Sequence, residues 1–165
     1  AMQLQPTHQL PDDHQLIEML VSELTIPMID WLVAREEGVP VSFDGEHIRH
    51  SPEPYTYEGY YSPSTDASIG HILLEREKIQ LRYIDEPGHS LNGIWMAQDC
   101  RFRSTGSNVG WKVYGKSYAD MEFGYLIGPT MLIAGLRFMI AKNRVGKYRE
   151  PAVRVPASLV SSSRS

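Results

Sequence analysis

The sequence predicts an α+β fold: a small, mainly antiparallel sheet with a β-hairpin, packed on two to three helices including a long apolar C-terminal helix. Three observations carry this reading. Thr25, Pro27 and Gly38 punctuate an apolar stripe of helical period made by Met28, Ile29, Leu32 and Val33. Asp44-Gly45 separates two short alternating segments, a strong local hairpin signal. The longest apolar stretch, residues 123–141, is broken by Gly128-Pro129-Thr130, which reads as the start of a core helix rather than the middle of a membrane span. Helices and strands interleave, but the hairpin is antiparallel, which favours α+β over a doubly wound sheet.

The elements follow in order. Residues 1–13, with Pro6 and Pro11, read as a flexible extension ahead of a single domain over 14–156. Asp12 or Asp13 is placed to cap a first helix with Leu16, Ile17, Leu20, Val21 and Leu24 on one face. Thr25 starts the second helix, and Gly38 stops it. Residues 39–43 and 47–49 form the hairpin arms. Thr65 or Asp66 caps a helix running to about Glu77. Residues 79–83, 94–97 and 111–114 alternate as strands, and Pro87-Gly88 is a turn. The apolar helix runs from 129 to about 143, and residues 153–155 add a last edge strand. Residues 157–165 are Ser-rich and read as a flexible tail.

Composition narrows the function classes. The chain has 165 residues, 42% of them hydrophobic and 22% charged, as in an ordinary globular domain. Its one cysteine, Cys100, excludes an internal disulfide framework and a four-cysteine zinc site. Charge is uneven. Residues 1–60 carry eleven acids against two bases, a net of −9, and residues 61–165 carry fourteen bases against nine acids, a net of +5. The beginning of the sequence lacks a basic segment followed by an apolar run, so a cytoplasmic location is expected.

Three segments together resemble a phage family of unknown function, the NinX-like proteins. They are Ile29-Asp30-Trp31-Leu32-Val33-Ala34-Arg35-Glu36-Glu37-Gly38, then Tyr61-Ser62-Pro63-Ser64-Thr65-Asp66 with Ile72-Leu73-Leu74-Glu75-Arg76-Glu77-Lys78-Ile79, and Gly128-Pro129-Thr130-Met131-Leu132-Ile133-Ala134-Gly135-Leu136-Arg137. They stand in the family's order and cover about residues 22–155. The resemblance implies a tailed-phage or prophage product acting in the host bacterial cytoplasm, and it implies no established reaction. The chain differs in its extension of about 20 residues at the N-terminus and in His71-Ile72, where the family often has Gly-Pro.

Candidate chemistry concentrates in two places. Tyr61, Ser62, Ser64, Thr65 and Asp66 lie at a helix start, where hydroxyls and backbone N–H groups bind anions, and Asp66 is placed to orient a sugar hydroxyl. The same run also reads as a plain capping turn. Glu75 offers a general base and Arg76 a carboxylate or phosphate contact, although neighbours on a helix point to different faces. Tyr55, Tyr57, Tyr60 and Tyr61 suit stacking or a protein partner.

Other signals are weak. His8, His14, His47, His50, His71 and His89 form no helical HxxxH pair, so no metal is expected, and no cofactor motif is present. Arg101 and Arg103 flank Cys100, which still reads as an inert thiol. Residues 106–110 are Gly-rich without a P-loop lysine. The basic run of Arg137, Lys142, Arg144, Lys147, Arg149 and Arg154 suits phosphates, but the isoelectric point near 5.9 argues against nucleic acid.

The reading is thus a non-catalytic binding protein using the 55–66 segment for a small anionic or nucleotide-like ligand, or for a host protein. One alternative is a hydrolase acting on a nucleotide or nucleic acid with Asp66 and Glu75. Another is an assembly protein, a homodimer through the apolar helix.

Overall fold

The computed structural model describes residues 15–51, 59–99, 125–142 and 151–162. The expectations for residues 1–13, Tyr55, Tyr57, Cys100, the 106–110 loop, the 111–114 strand, and Arg144, Lys147 and Arg149 lie outside these residues. The described chain is α+β, with small antiparallel sheets and four helices. In order, it runs β1 (Leu16–Leu20), a 3-10 turn (Val21–Glu23), α1 (Ile26–Glu37), β2 (Val41–Phe43), β3 (Ile48–His50), α2 (Ala67–Arg76) and β4 (Ile79–Tyr83). It continues with β5 (Trp95–Asp99), β6 (Leu126–Gly128), α3 (Met131–Lys142), β7 (Ala152–Pro156) and α4 (Ala157–Ser162). Strands pair as β1–β7, β2–β3 and β4–β5–β6, all antiparallel.

The first correction concerns β1. The expected helix with Leu16, Ile17 and Leu20 on one face is a strand, paired with β7 so that Leu16 faces Pro156 and Leu20 faces Ala152. Five residues fit either period, and the partner that decides lies far away in sequence. β7 alternates exposed Ala152 and Arg154 with buried Val153 and Val155, and these valines supply the apolar face that β1 joins. The 3-10 turn then buries Val21, and Leu24 follows it into the core.

α1 begins and ends where punctuation predicts. Thr25 holds the extended N-cap conformation, Pro27 sits in the first turn, and Gly38 ends the helix at φ 70°. The Thr25 hydroxyl makes no cap bond; it is buried without a partner. Residues 28–34 are buried without interruption, so the helix is enclosed rather than lying on the surface.

α3 is the hub. It packs on β4, β5, β6, α1 and α2, and nine of its twelve residues are buried. The helix starts at Met131, because Thr130 caps it: the Thr130 hydroxyl accepts the Ile133 N–H at 3.2 Å. Three glycines let neighbours approach. A Cβ on Gly128 would lie 2.6 Å from the Ala134 nitrogen, one on Gly135 would lie 2.6 Å from Leu74 Cδ1, and one on Gly70 would lie 2.4 Å from the Pro63 oxygen. Arg137, the charge inside this apolar helix, donates Nη1 to the Ile127 carbonyl at 2.8 Å and Nη2 to the Leu24 carbonyl at 2.7 Å. It thereby stitches β6 and the end of the 3-10 turn to the hub, and its head is engaged internally rather than presented to phosphates.

Two further expectations change. The apolar helix is neither long nor C-terminal: it spans twelve residues, and β7 and α4 follow it. The Ser-rich segment expected to be flexible begins as α4, whose Leu159 is fully buried. Leu159-Val160 among serines is a short apolar signal, but β7 delivers Leu159 directly to the core. No helix among the described residues is long and apolar enough to cross a membrane.

The glycine contacts make a test of this packing. Gly70→Ala is expected to lower stability by about 1–3 kcal/mol, because the clash is with backbone. Gly135→Ala costs less, because Leu74 can yield. Lys78, the one non-glycine described at positive φ (58°), gains up to about 1 kcal/mol on replacement by glycine. Urea unfolding of the three variants orders these effects.

Candidate functional site

The 61–66 turn joins the hairpin to α2. Tyr61 enters from the hairpin side, its N–H donating to the Ile48 carbonyl at 2.7 Å. Its ring is buried and lies edge-on to His50, with centroids 5.4 Å apart. Burial, with the charges of Glu37 and Asp30, pushes the Tyr61 phenol up to about 12, against an opposing pull from Arg76. The Ser62 carbonyl accepts the N–H groups of Thr65 and Asp66 at 3.1 and 2.8 Å. Ser64 is 2% exposed and donates its N–H to Asp30 Oδ1 at 2.9 Å.

Asp66 is the N-cap of α2. Its Oδ1 accepts the Ser68 N–H at 2.9 Å and the Ser68 hydroxyl at 2.6 Å. A helix start attracts anions because its first N–H groups lack partners and its dipole is positive there. Here the protein's own carboxylate already occupies that position. The turn therefore brings Tyr61, Ser62, Ser64, Thr65 and Asp66 together, but chiefly to build and cap itself.

Glu75 and Arg76 stand apart from them. Nine helical positions separate Asp66 from Glu75, about 13 Å along the axis. Glu75 is exposed. Arg76 is bidentate to Glu37 on α1, Nη1 to Oε1 at 2.6 Å and Nη2 to Oε2 at 2.8 Å, and its Nε reaches Glu77 at 3.0 Å. The Glu37 bond, with Glu77, holds the guanidinium charged more firmly than usual. Burial works against the Glu77 charge, but Arg76 and Lys142 together keep its carboxyl below the usual range. Lys142 donates to the Glu77 carbonyl at 2.9 Å and lies 3.4 Å from its carboxylate. The alternating chain Glu37–Arg76–Glu77–Lys142 ties the C-terminal ends of α1, α2 and α3 together. Arg76 and Lys142 are thus engaged in the fold.

Two features escape the sequence reading. The first is Asp30, 3% exposed in the middle of α1. Burial pushes its carboxyl up to about 7, against the pull of the Ser64 N–H and hydroxyl. The available signal is an acid inside an apolar helical run, from Met28 to Ala34. The second is a layered group on the hairpin. His47 stacks on Tyr60, with centroids 4.3 Å apart and planes 19° apart, and the Arg49 guanidinium lies over the same ring at 4.5 Å. Arg49 Nη2 also donates to the Tyr60 hydroxyl at 3.3 Å. A bridge between Arg49 and Tyr60 sets this register. Only folding brings Tyr60 back beside the hairpin, so local sequence carries no sign of it.

Asp44 anchors the group. Its Oδ1 accepts the N–H groups of Glu46 and His47 at 2.9 and 2.7 Å, and its Oδ2 accepts Arg49 Nε. Burial alone would raise the Asp44 carboxyl, but the His47 N–H, Arg49 and the Glu46 N–H outweigh it and hold it at about 2. Among the described residues no group of three or more His, Cys, Asp or Glu is placed to hold a metal ion.

No protein-family model matches the chain, and no curated protein matches it.

Two outcomes follow. Asp66→Ala removes the cap of α2 and is expected to cost about 0.5–2 kcal/mol, with Asp66→Asn costing much less; thermal melts of the pair check this. Because the Asp44 carboxyl is lower in the fold than its ordinary 3.8, its contribution is complete above about pH 4 and is lost as pH falls towards 2. Asp44→Asn therefore shows a shallower loss of stability over that range, read by urea midpoints at stepped pH.

Proposed function

We propose that the chain is a non-catalytic protein-binding accessory protein whose recognition surface centres on the hairpin group of half-buried His47 and Arg49 with exposed Tyr60. The observation that carries this is the preformed stack on Tyr60, a residue 44% exposed. Tyrosine and arginine dominate protein recognition because they offer large rigid area with polar edges. A stack already assembled loses little rotamer freedom when a partner arrives. Tyr55 and Tyr57, close in sequence, extend the same chemistry. The resemblance to NinX-like phage proteins supports a host protein as the partner and the host cytoplasm as the place.

A nucleotide-like ligand is the weaker reading. Asp66 fills the helix start that a phosphate would use, and Arg76 is engaged by two carboxylates. The hydrolase reading also weakens. About 13 Å of helix axis separates Asp66 from Glu75, and the Asp66 carboxylate is already engaged as the cap of α2. The dimer reading loses its premise, since α3 is covered within one chain.

The test is retention of a host protein from bacterial lysate by the immobilised chain. Tyr60→Ala is expected to abolish retention while shifting stability by no more than about 0.5 kcal/mol beyond the lost stack. A melting increase of several degrees with a nucleotide or nucleotide sugar, lost in Asp66→Asn, would overturn the protein-partner reading in favour of the small ligand.

A further inference from the structure

We propose that Asp30 and Ser64 form a buried, titratable latch: the carboxyl on α1 clasps the 62–66 turn, and losing its proton loosens that turn while the α3 core stays closed. The device is independent of what the protein binds.

The geometry comes first. Asp30 lies between Ile29 and Trp31 in a run of α1 that is buried throughout, and its side chain reaches off the helix to a backbone N–H 34 positions away. Ser64, on the far side of that bond, is 2% exposed, so its hydroxyl is held beside the same carboxyl. A buried carboxylate normally has a cation or several N–H donors. Asp30 has Ser64 alone, and among the described residues no ammonium or guanidinium is bonded to it.

The groups facing it do not supply the missing charge. The turn brings Tyr61, and behind Tyr61 stands the Glu37–Arg76 pair, whose charges offset each other. β3 brings Arg49, held by Asp44, and His50, edge-on to Tyr61. α3 brings Arg137, bonded to two carbonyls, and Lys142, bonded to Glu77. α4 carries no charged residue.

The sign follows. The closed form keeps the Asp30 proton up to about pH 7, whereas the exposed carboxyl loses it near 3.8. The latch is therefore at full strength below about pH 4 and weakens as pH rises to 7, because ionisation favours any state that gives Asp30 water. Parting the turn from α1 gives it water by breaking the contact with Ser64 and uncovering the short buried 63–64 segment. Opening α1 elsewhere would expose Leu32, Val33 and Ala34, which are all buried. Local release is thus the cheaper route.

Native-state hydrogen exchange tests this, with rates corrected for the intrinsic effect of pH. Between pH 5 and pH 8, protection of the Ser64 amide is expected to fall at least about tenfold in the unaltered chain. Asp30→Asn keeps an acceptor oxygen and removes the titration, so its Ser64 protection stays level. The Leu136 amide in α3 keeps its protection in both. An equal fall in Asp30→Asn, or a parallel fall at Leu136, overturns the proposal. Should Asp30→Asn fail to fold, the Asp30 carboxyl carbon in the unaltered chain decides: titration complete below pH 5 sinks the latch, and titration near 7 in step with Ser64 protection sustains it.

Discussion

A twelve-residue helix that is apolar on nearly every side cannot rest on a surface; it must be enclosed. This is the condition that α3 sets for the rest of the described fold. β4–β6 lie against it, and α1 and α2 also pack on it. Enclosure demands close approach, and Gly70, Gly128 and Gly135 stand where a methyl group would collide. It also demands that Arg137, the charge within the helix, find partners inside. The carbonyls of Ile127 and Leu24 serve, so the same side chain that threatens the core becomes a strap holding its covering elements.

The polar residues around the 61–66 turn follow a similar logic. A turn that enters a core must satisfy its own backbone, and the Asp30 carboxyl with the Ile48 and Ser62 carbonyls accepts its N–H groups, while Asp66 caps α2. Side chains engaged in this way are poorly placed to take an external anion. The chemically varied surface that remains is the Asp44-anchored hairpin with exposed Tyr60. Stability and recognition are thereby separated: a buried acid and backbone carbonyls hold the turn, and aromatic and cationic groups lie on the hairpin.

How much of this was legible depended on the range of the interaction concerned. Thr25, Pro27 and Gly38 mark α1, Asp44-Gly45 marks the hairpin, and Asp66 marks the start of α2. These are signals whose cause lies within a few residues. β1 misleads because five residues cannot separate a period of 2 from one of 3.6. α4 misleads because serine content says nothing of where β7 aims Leu159. The 61–66 run was legible as a cluster of hydrogen-bonding groups, but not as one already committed to Asp30 and Ser68.

The α+β class, the limits of α1 and β4, the hairpin and the capping chemistry of α2 can all be read from the residues alone. Each rests on backbone conformation or on bonds between near neighbours. That β1 joins β7, that Arg76 belongs to Glu37, that Asp30 clasps Ser64 and that Tyr60 returns to stack on His47 emerges with the packed fold. These contacts join residues far apart along the chain. They form because burying the apolar faces around α3 brings them together, and no local pattern records where that burial sets them.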